Sequence, residues 1–190
     1  MRTRTLPGAA LVAALALLVG CATTAPDDAP APPDGDVLAA LGLDGLTGTE
    51  IVERLDASTD PRPLDLMASV RQDEVLVGDG TTEVAVPLDG DVFYVSIAPY
   101  VDSTHECFFH SLATCQGELV EEPVDVLITD ADGEVLVDKS TTTYTNGFVG
   151  FWLPADIDGT IEVTHEGRTG SVPFSTTDGS PTCVTTLRMT

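Results

Sequence analysis

The sequence predicts an α+β protein: a small helical N-terminal part followed by a β-rich, sandwich-like C-terminal domain. Three observations carry this. Thr47 and Glu50 form a capping-box pattern ahead of an apolar stripe at helical spacing. From Glu74 onward, short runs of alternating apolar and polar residues replace that stripe. Turn dipeptides punctuate those runs at short, regular intervals, as they do in all-β sandwiches and small barrels.

The 190 residues divide into four stretches. Residues 1–20 read as a lipoprotein signal peptide. Arg2 and Arg4 form a basic start, and an apolar run from Gly8 to Gly20 follows. That run is too short to span a bilayer as a helix and has the shape of a secretory signal. Leu18 to Cys21, LVGC, resembles the lipobox of bacterial lipoproteins, in which the cysteine is lipidated and becomes the first mature residue. More than one acyl chain on Cys21 would anchor the protein stably to a membrane, outside the cytoplasm and in an oxidising setting. Residues 21–36, rich in Ala, Pro and Asp, read as a disordered tether between lipid and fold.

Residues 37–72 read as the helical part. The Thr47 oxygen accepts an amide at the helix start, Glu50 reaches back, and Ile51, Val52 and Leu55 make one apolar face. Pro61 and Pro63 end that helix, and Leu64 to Val70 can start another. No residue here invites chemistry, so packing or dimerisation is the expected role.

Residues 73–190 read as the β-rich domain. Asp79-Gly80, Asp89-Gly90, Asp132-Gly133, Asn146-Gly147, Asp158-Gly159, Glu166-Gly167 and Asp178-Gly179 suit tight turns. Between and around them lie EVLV, TEVAVPL, VFYVSIAPY, VDVLIT, EVLVD, FVGFWL, TIEVTH, GSVPF and CVTTL, nine candidate strands rich in β-branched and aromatic residues. Phe148 and Trp152 share one face of their run and Phe151 and Leu153 the other, so this strand is expected to be buried on both sides. The acids of Asp130 to Glu134 resemble part of a calcium loop, but strand residues follow at once, and a hairpin turn fits better.

Charge excludes one class of partner. The chain carries a net −23, and removal of the leader with Arg2 and Arg4 takes it to −25, with Lys139 the only lysine. Nucleic-acid binding needs phosphate-neutralising lysine and arginine, so it is not expected. The acid excess reads as a soluble, self-repelling surface. Conventional hydrolase signatures are missing too: there is no Gly-x-Ser-x-Gly elbow and no His-Glu-x-x-His.

The chemistry concentrates in His105 to Gly117, HECFFHSLATCQG, together with Cys183. With Cys21 lipidated, three cysteines remain, an odd number for an oxidising compartment. Cys107 and Cys115 would stand about 26 Å apart on a straight strand and about 12 Å apart on a helix. A single metal ion therefore needs the chain to fold back between them, and a hairpin centred near Ser111 would do so. Cys183, in register with Leu187 on the last strand, would face the core. Three thiolates form a soft, low-coordinate pocket suited to Cu(I). Such a pocket could also reduce Cu(II) by drawing electrons from its thiols. His105 and His110 are the auxiliary ligands or capture groups, with an ordinary packing or surface role as the alternative for each.

Zinc is the competing ion, although the paired Cys-x2-Cys and His-x3-His spacings that mark zinc sites are missing. A Cys107–Cys115 disulfide stapling a structural or adhesive β-sandwich also remains open at this point, as does a thiol–disulfide enzyme, which would lack the usual Cys-x-x-Cys.

The stretches THECFFHSLATCQGEL, TDADGEVLVDKSTTTYTNGFVGFWLP and PTCVTTL resemble the CueP family of exported bacterial copper-binding proteins. The likeness runs from about Val37 and is strongest from Val92. Its specificity lies in the cysteine spacing, with seven residues between the first pair and 67 before the third. The resemblance implies a helical N-terminal part joined to a β-rich C-terminal part, often dimeric. It also implies copper binding by three cysteines, with copper reduction and periplasmic copper resistance attributed to the family. It assigns the ligand role to Cys107, Cys115 and Cys183 and leaves His105 and His110 undecided. The lipobox is a departure, implying a tethered rather than freely diffusing form.

Overall fold

The computed structural model describes residues 34–190. The signal peptide expected over residues 1–20, the lipidation site Cys21 and the expected tether up to residue 33 lie outside the described residues. The tether does not reach Asp36 as expected. Helix α1, Asp34–Ala40, begins inside that stretch because Val37 and Leu38 pack into the core that follows. Among the described residues no helix is long and apolar enough to cross a membrane.

Helix α2, Gly48–Asp56, carries the expected capping box. The Glu50 amide donates to Thr47 Oγ1 at 3.3 Å, and the Thr47 amide donates to Glu50 Oε2 at 2.9 Å. Both satisfy N–H groups that lack partners at a helix start. Ile51, Val52 and Leu55 are buried, and Asp56 at the end of the same face is buried as well. Arg62 reaches back to donate to the carbonyls of Leu55, at 2.9 Å, and Ser58, at 3.4 Å.

The second helix expected from Leu64 does not form. Met67–Val70 is strand β1. Ala68 and Val70 are buried while Met67 is exposed, a two-residue period set by antiparallel pairing with β2, Glu74–Gly78. Strand β3, Glu83–Pro87, completes a three-stranded sheet in the order β1-β2-β3. The β1–β2 ladder thus runs across the boundary at residue 72 drawn from the sequence.

The remaining strands are β4 (Val92–Ile97), β5 (Pro123–Asp130), β6 (Val135–Thr142), β7 (Val149–Pro154), β8 (Asp158–His165), β9 (Arg168–Ser175) and β10 (Cys183–Val184). Each of the nine runs read as strands contains one. Asp158-Gly159 is the one dipeptide that is not a turn. Gly159 lies in β8, paired with Asp130 and Phe174, where a side chain would strike the Thr129 carbonyl and the Phe174 ring. Asp130 to Glu134 is a hairpin turn, with Asp130 Oδ1 accepting the amides of Asp132 and Glu134 at 3.0 and 2.8 Å.

The sheet β10-β4-β7 is central. Phe93, Val95 and Ile97 of β4 and Leu153 of β7 meet Val126, Ile128, Ile161 and Val163 of the sheet β6-β5-β8-β9, forming the sandwich core. On the other face Tyr94 and Trp152 pack with α2 and the β1-β2-β3 sheet, their ring centroids 4.7 Å apart. The Phe148 to Leu153 run is covered on both faces in part: Phe148 and Leu153 are buried, and Phe151 and Trp152 are half-buried.

Candidate metal centre

The chain between β4 and β5 builds the site by borrowing backbone partners from three directions. His110 to Leu112 lies against β1: the Val70 amide donates to the His110 carbonyl at 2.9 Å, the Leu112 amide to Ala68 at 3.0 Å, and Ser69 bridges Ser111. The Cys115 amide then donates to the Ser111 carbonyl at 3.1 Å, closing a turn that returns Cys115 toward Cys107. The fold-back is therefore where it was expected, but it is a turn docked on β1 and not a hairpin between the cysteines. Its exit is tied down where the Gly117 amide meets the Asn146 carbonyl at 2.7 Å.

Cys183 arrives on β10, which pairs parallel with β4 and places Cys183 beside Ser96. The Cys183 amide donates to the Phe108 carbonyl at 3.1 Å. Strand β10 holds only two residues, so Cys183 and Leu187 do not share a strand face as expected. Leu187 enters the sandwich core, whereas Cys183 joins Ala98, Cys115 and Phe148 in a separate cluster against which Cys107 packs. All three cysteines are free thiols.

Cys107 Sγ and Cys115 Sγ are 3.5 Å apart. The donor atoms of Cys115, Cys183 and His110 all lie within 4.8 Å of one another, and so do those of His105, Cys107 and Cys115. Cys183 Sγ is 3.8 Å from His110 Nδ1. The two histidines and three cysteines thus fall into two groups that share Cys115, each holding two of the three sulfurs, while Cys21 lies outside the described residues.

The structure also adds residues that sequence reasoning missed. Asp56, 0% exposed, sits behind His110 and accepts from its Nε2 at 2.9 Å. It accepts further bonds from Asn146 Nδ2 at 2.7 Å, Tyr94 Oη at 2.6 Å and Ser96 Oγ at 3.3 Å. Thr182 Oγ1 accepts the His110 amide and donates to the Val70 carbonyl, both at 2.9 Å. With Nε2 engaged by Asp56, His110 turns Nδ1 to the sulfurs. This is the carboxylate–imidazole arrangement that fixes ring orientation and tautomer at metal sites. One signal was available: Asp56 continues the α2 stripe four residues after Val52, a carboxylate on an apolar face.

The electrostatics follow from these contacts. Burial alone would raise the Asp56 carboxyl, but the His110 charge and the bonds from His110, Tyr94 and Asn146 outweigh it and hold its pKa below the usual value. Burial likewise opposes charge on His110, yet Asp56 lifts its pKa from 6.5 to about 9. Hydrogen bonds from Cys107 and Cys183, opposed by burial and aided by His110, hold the Cys115 thiol far below its ordinary value. The same sharing, through the bond to Cys115 first, pushes Cys107 up to about 12, and bonds to Cys107 and Cys115 together with burial raise Cys183. The three sulfurs titrate together, with negative charge favoured on Cys115. The Ser111 amide donates to that sulfur at 3.4 Å.

Soft thiolates and an imidazole converging at this spacing fit a soft metal ion. Metal–sulfur bonds of about 2.3 Å span a gap of this size when one ion sits between two sulfurs. Residues 50–188 match a family model described as periplasmic copper-binding protein CueP. A crystal structure of S.CueP is 43% identical, with a TM-score of 0.81, over 84% of this chain and 99% of that one. No curated protein matches the chain.

Proposed function

The chain belongs to the CueP family of periplasmic copper-binding proteins, and from that premise we propose that it sequesters Cu(I) through the thiolates of Cys107, Cys115 and Cys183, with His110 as a nitrogen ligand. The observation that carries this reading is the convergence of soft donors. Cys107 and Cys115 are 3.5 Å apart, and Cys115, Cys183 and His110 fall within 4.8 Å of one another. Thiolate selects Cu(I), whereas Cu(II) prefers nitrogen and oxygen in a tetragonal frame. Zn(II) could take the same three sulfurs and one nitrogen in a tetrahedron, so it is the competing ion.

The same thiols can reduce Cu(II). Two Cu(II) ions each take one electron, two thiols lose two protons, and one disulfide forms. Cys107 and Cys115 need only close from 3.5 Å to the bonded length of about 2.05 Å. Lipidated Cys21 would hold this chemistry at the membrane surface.

The test is an anaerobic titration of the reduced protein against a Cu(I)-specific chromophoric competitor. One Cu(I) per chain is expected, with most affinity lost in Cys183→Ser. Tight retention by that variant, or displacement of Cu(I) by Zn(II) at equal free concentration, would overturn the reading. Mass spectrometry of the membrane fraction checks the anchor, which requires acyl chains on Cys21 and their loss in Cys21→Ala.

A further inference from the structure

We infer that the cluster contains two overlapping copper sites that share Cys115: an outer site, formed by His105, Cys107 and Cys115, that receives the ion, and an inner site, formed by Cys115, Cys183 and His110, that keeps it. The inference rests on the copper reading above and assigns the two histidines different work. Each set is compact enough for one ion, its donor atoms lying within 4.8 Å of one another. The sets differ in access. His105 and Cys107 are half-buried, whereas Cys183 and His110 are 4% and 0% exposed. A cavity of about 310 Å³ that opens to solvent is lined by His105, Glu106 and Cys107, so an arriving ion meets the outer donors first.

His105 is built as a waiting ligand. Its Nε2 is buried yet has no hydrogen-bond partner, a costly state that a bound metal would relieve. The loop that carries it is pinned, with Thr104 Oγ1 donating to the Thr185 carbonyl at 2.7 Å. Phe148, fully buried, packs near both imidazoles, with centroid distances of 6.1 Å to His105 and 4.5 Å to His110. By contrast, His110 already has its Nε2 partner in Asp56.

Transfer inward is a ligand exchange at constant oxidation state. The ion gives up His105 and Cys107 and takes Cys183 and His110, and the bond to Cys115 is kept throughout. Cys183 releases its thiol proton and His110 its Nδ1 proton on binding, Cys107 regains one proton on release, and the other passes to solvent; no electron is transferred.

The experiment is stopped-flow mixing of reduced, metal-free mature protein with the Cu(I)–bicinchoninate complex, alongside equilibrium competition. His105→Ala should slow uptake and release about tenfold and leave equilibrium affinity nearly unchanged, whereas His110→Ala should lose about tenfold or more in affinity at a near wild-type initial uptake rate. His105→Met, which restores a soft donor, should recover the rate. Far-UV circular dichroism confirms that each variant is folded. Unchanged kinetics in His105→Ala, equal affinity losses in the two histidine variants, or two Cu(I) bound per chain would overturn the relay. Wild-type protein that takes up no Cu(I) would instead sink the copper reading on which it rests.

Discussion

Asp56→Asn tests the centre most directly, because it keeps the shape of the side chain and removes only its charge and two acceptor sites. In the wild type, Oδ1 accepts from His110 and Asn146, and Oδ2 from Tyr94 and Ser96. An amide must turn its NH2 toward one of these donor pairs, and the lost bonds cost about 1–3 kcal/mol at any pH. A second loss depends on pH. Asp56 is the main group that raises His110 from 6.5 to about 9, which at about 1.4 kcal/mol per pH unit is a stabilisation of about 3 kcal/mol. The folded value is raised above the unfolded one, so this contribution is complete below pH 6.5 and disappears as pH rises through about 9. Unfolding of reduced, metal-free protein in urea, measured across that window, should show the wild type losing stability relative to the variant as pH rises. Copper affinity should fall about 10- to 100-fold, because nothing then holds Nδ1 of His110 toward the sulfurs. Parallel stability curves through the window, or an unaltered Cu(I) affinity, would refute the reasoning.

Three further outcomes follow from the same contacts. Ultraviolet thiolate absorbance should persist well below the ordinary thiol range in the metal-free protein and weaken in Cys115→Ser, because the hydrogen bonds from Cys107 and Cys183 converge on that sulfur. Cys115→Ser should also cost more Cu(I) affinity than Cys107→Ser in the competition assay, because only Cys115 serves both donor groups. Gly117→Ala should lower the melting temperature by several degrees: the new methyl would strike the Gly147 carbonyl, a backbone atom that cannot move aside, at a cost of about 1–3 kcal/mol.

The strands and α2 were legible because their signals are local. Alternation in β2, β5 and β8 follows the pleat, and the Thr47–Glu50 pair closes within one turn. Strand β1 was not legible for the opposite reason. Leu64, Met67 and Val70 sit at helical spacing as well as near a strand boundary, and the choice is made by pairing with β2 and by the bridge from Ser69 to Ser111, 42 residues on. Asp158-Gly159 shows the same override. Its composition suits a turn, but β8 is held on both edges by β5 and β9, and the ladder keeps the dipeptide extended.

At the site, the donors announced themselves by chemistry: an odd set of cysteines, with histidines beside the first two. What orients them did not, because Asp56 lies 54 residues before His110 and meets it only through the packed fold. That distance has a physical consequence. The carboxylate belongs to α2, the imidazole to the loop docked on β1, and the third sulfur to β10 beside β4, so the inner donor set exists only while the N-terminal sheet and helix are seated on the central sheet. Burying Asp56 there would be unfavourable without the four donors that meet it. Copper ligation by His110 and the docking of α2 therefore stabilise one another, and a change that loosens the helix must weaken the inner site before it reaches any cysteine.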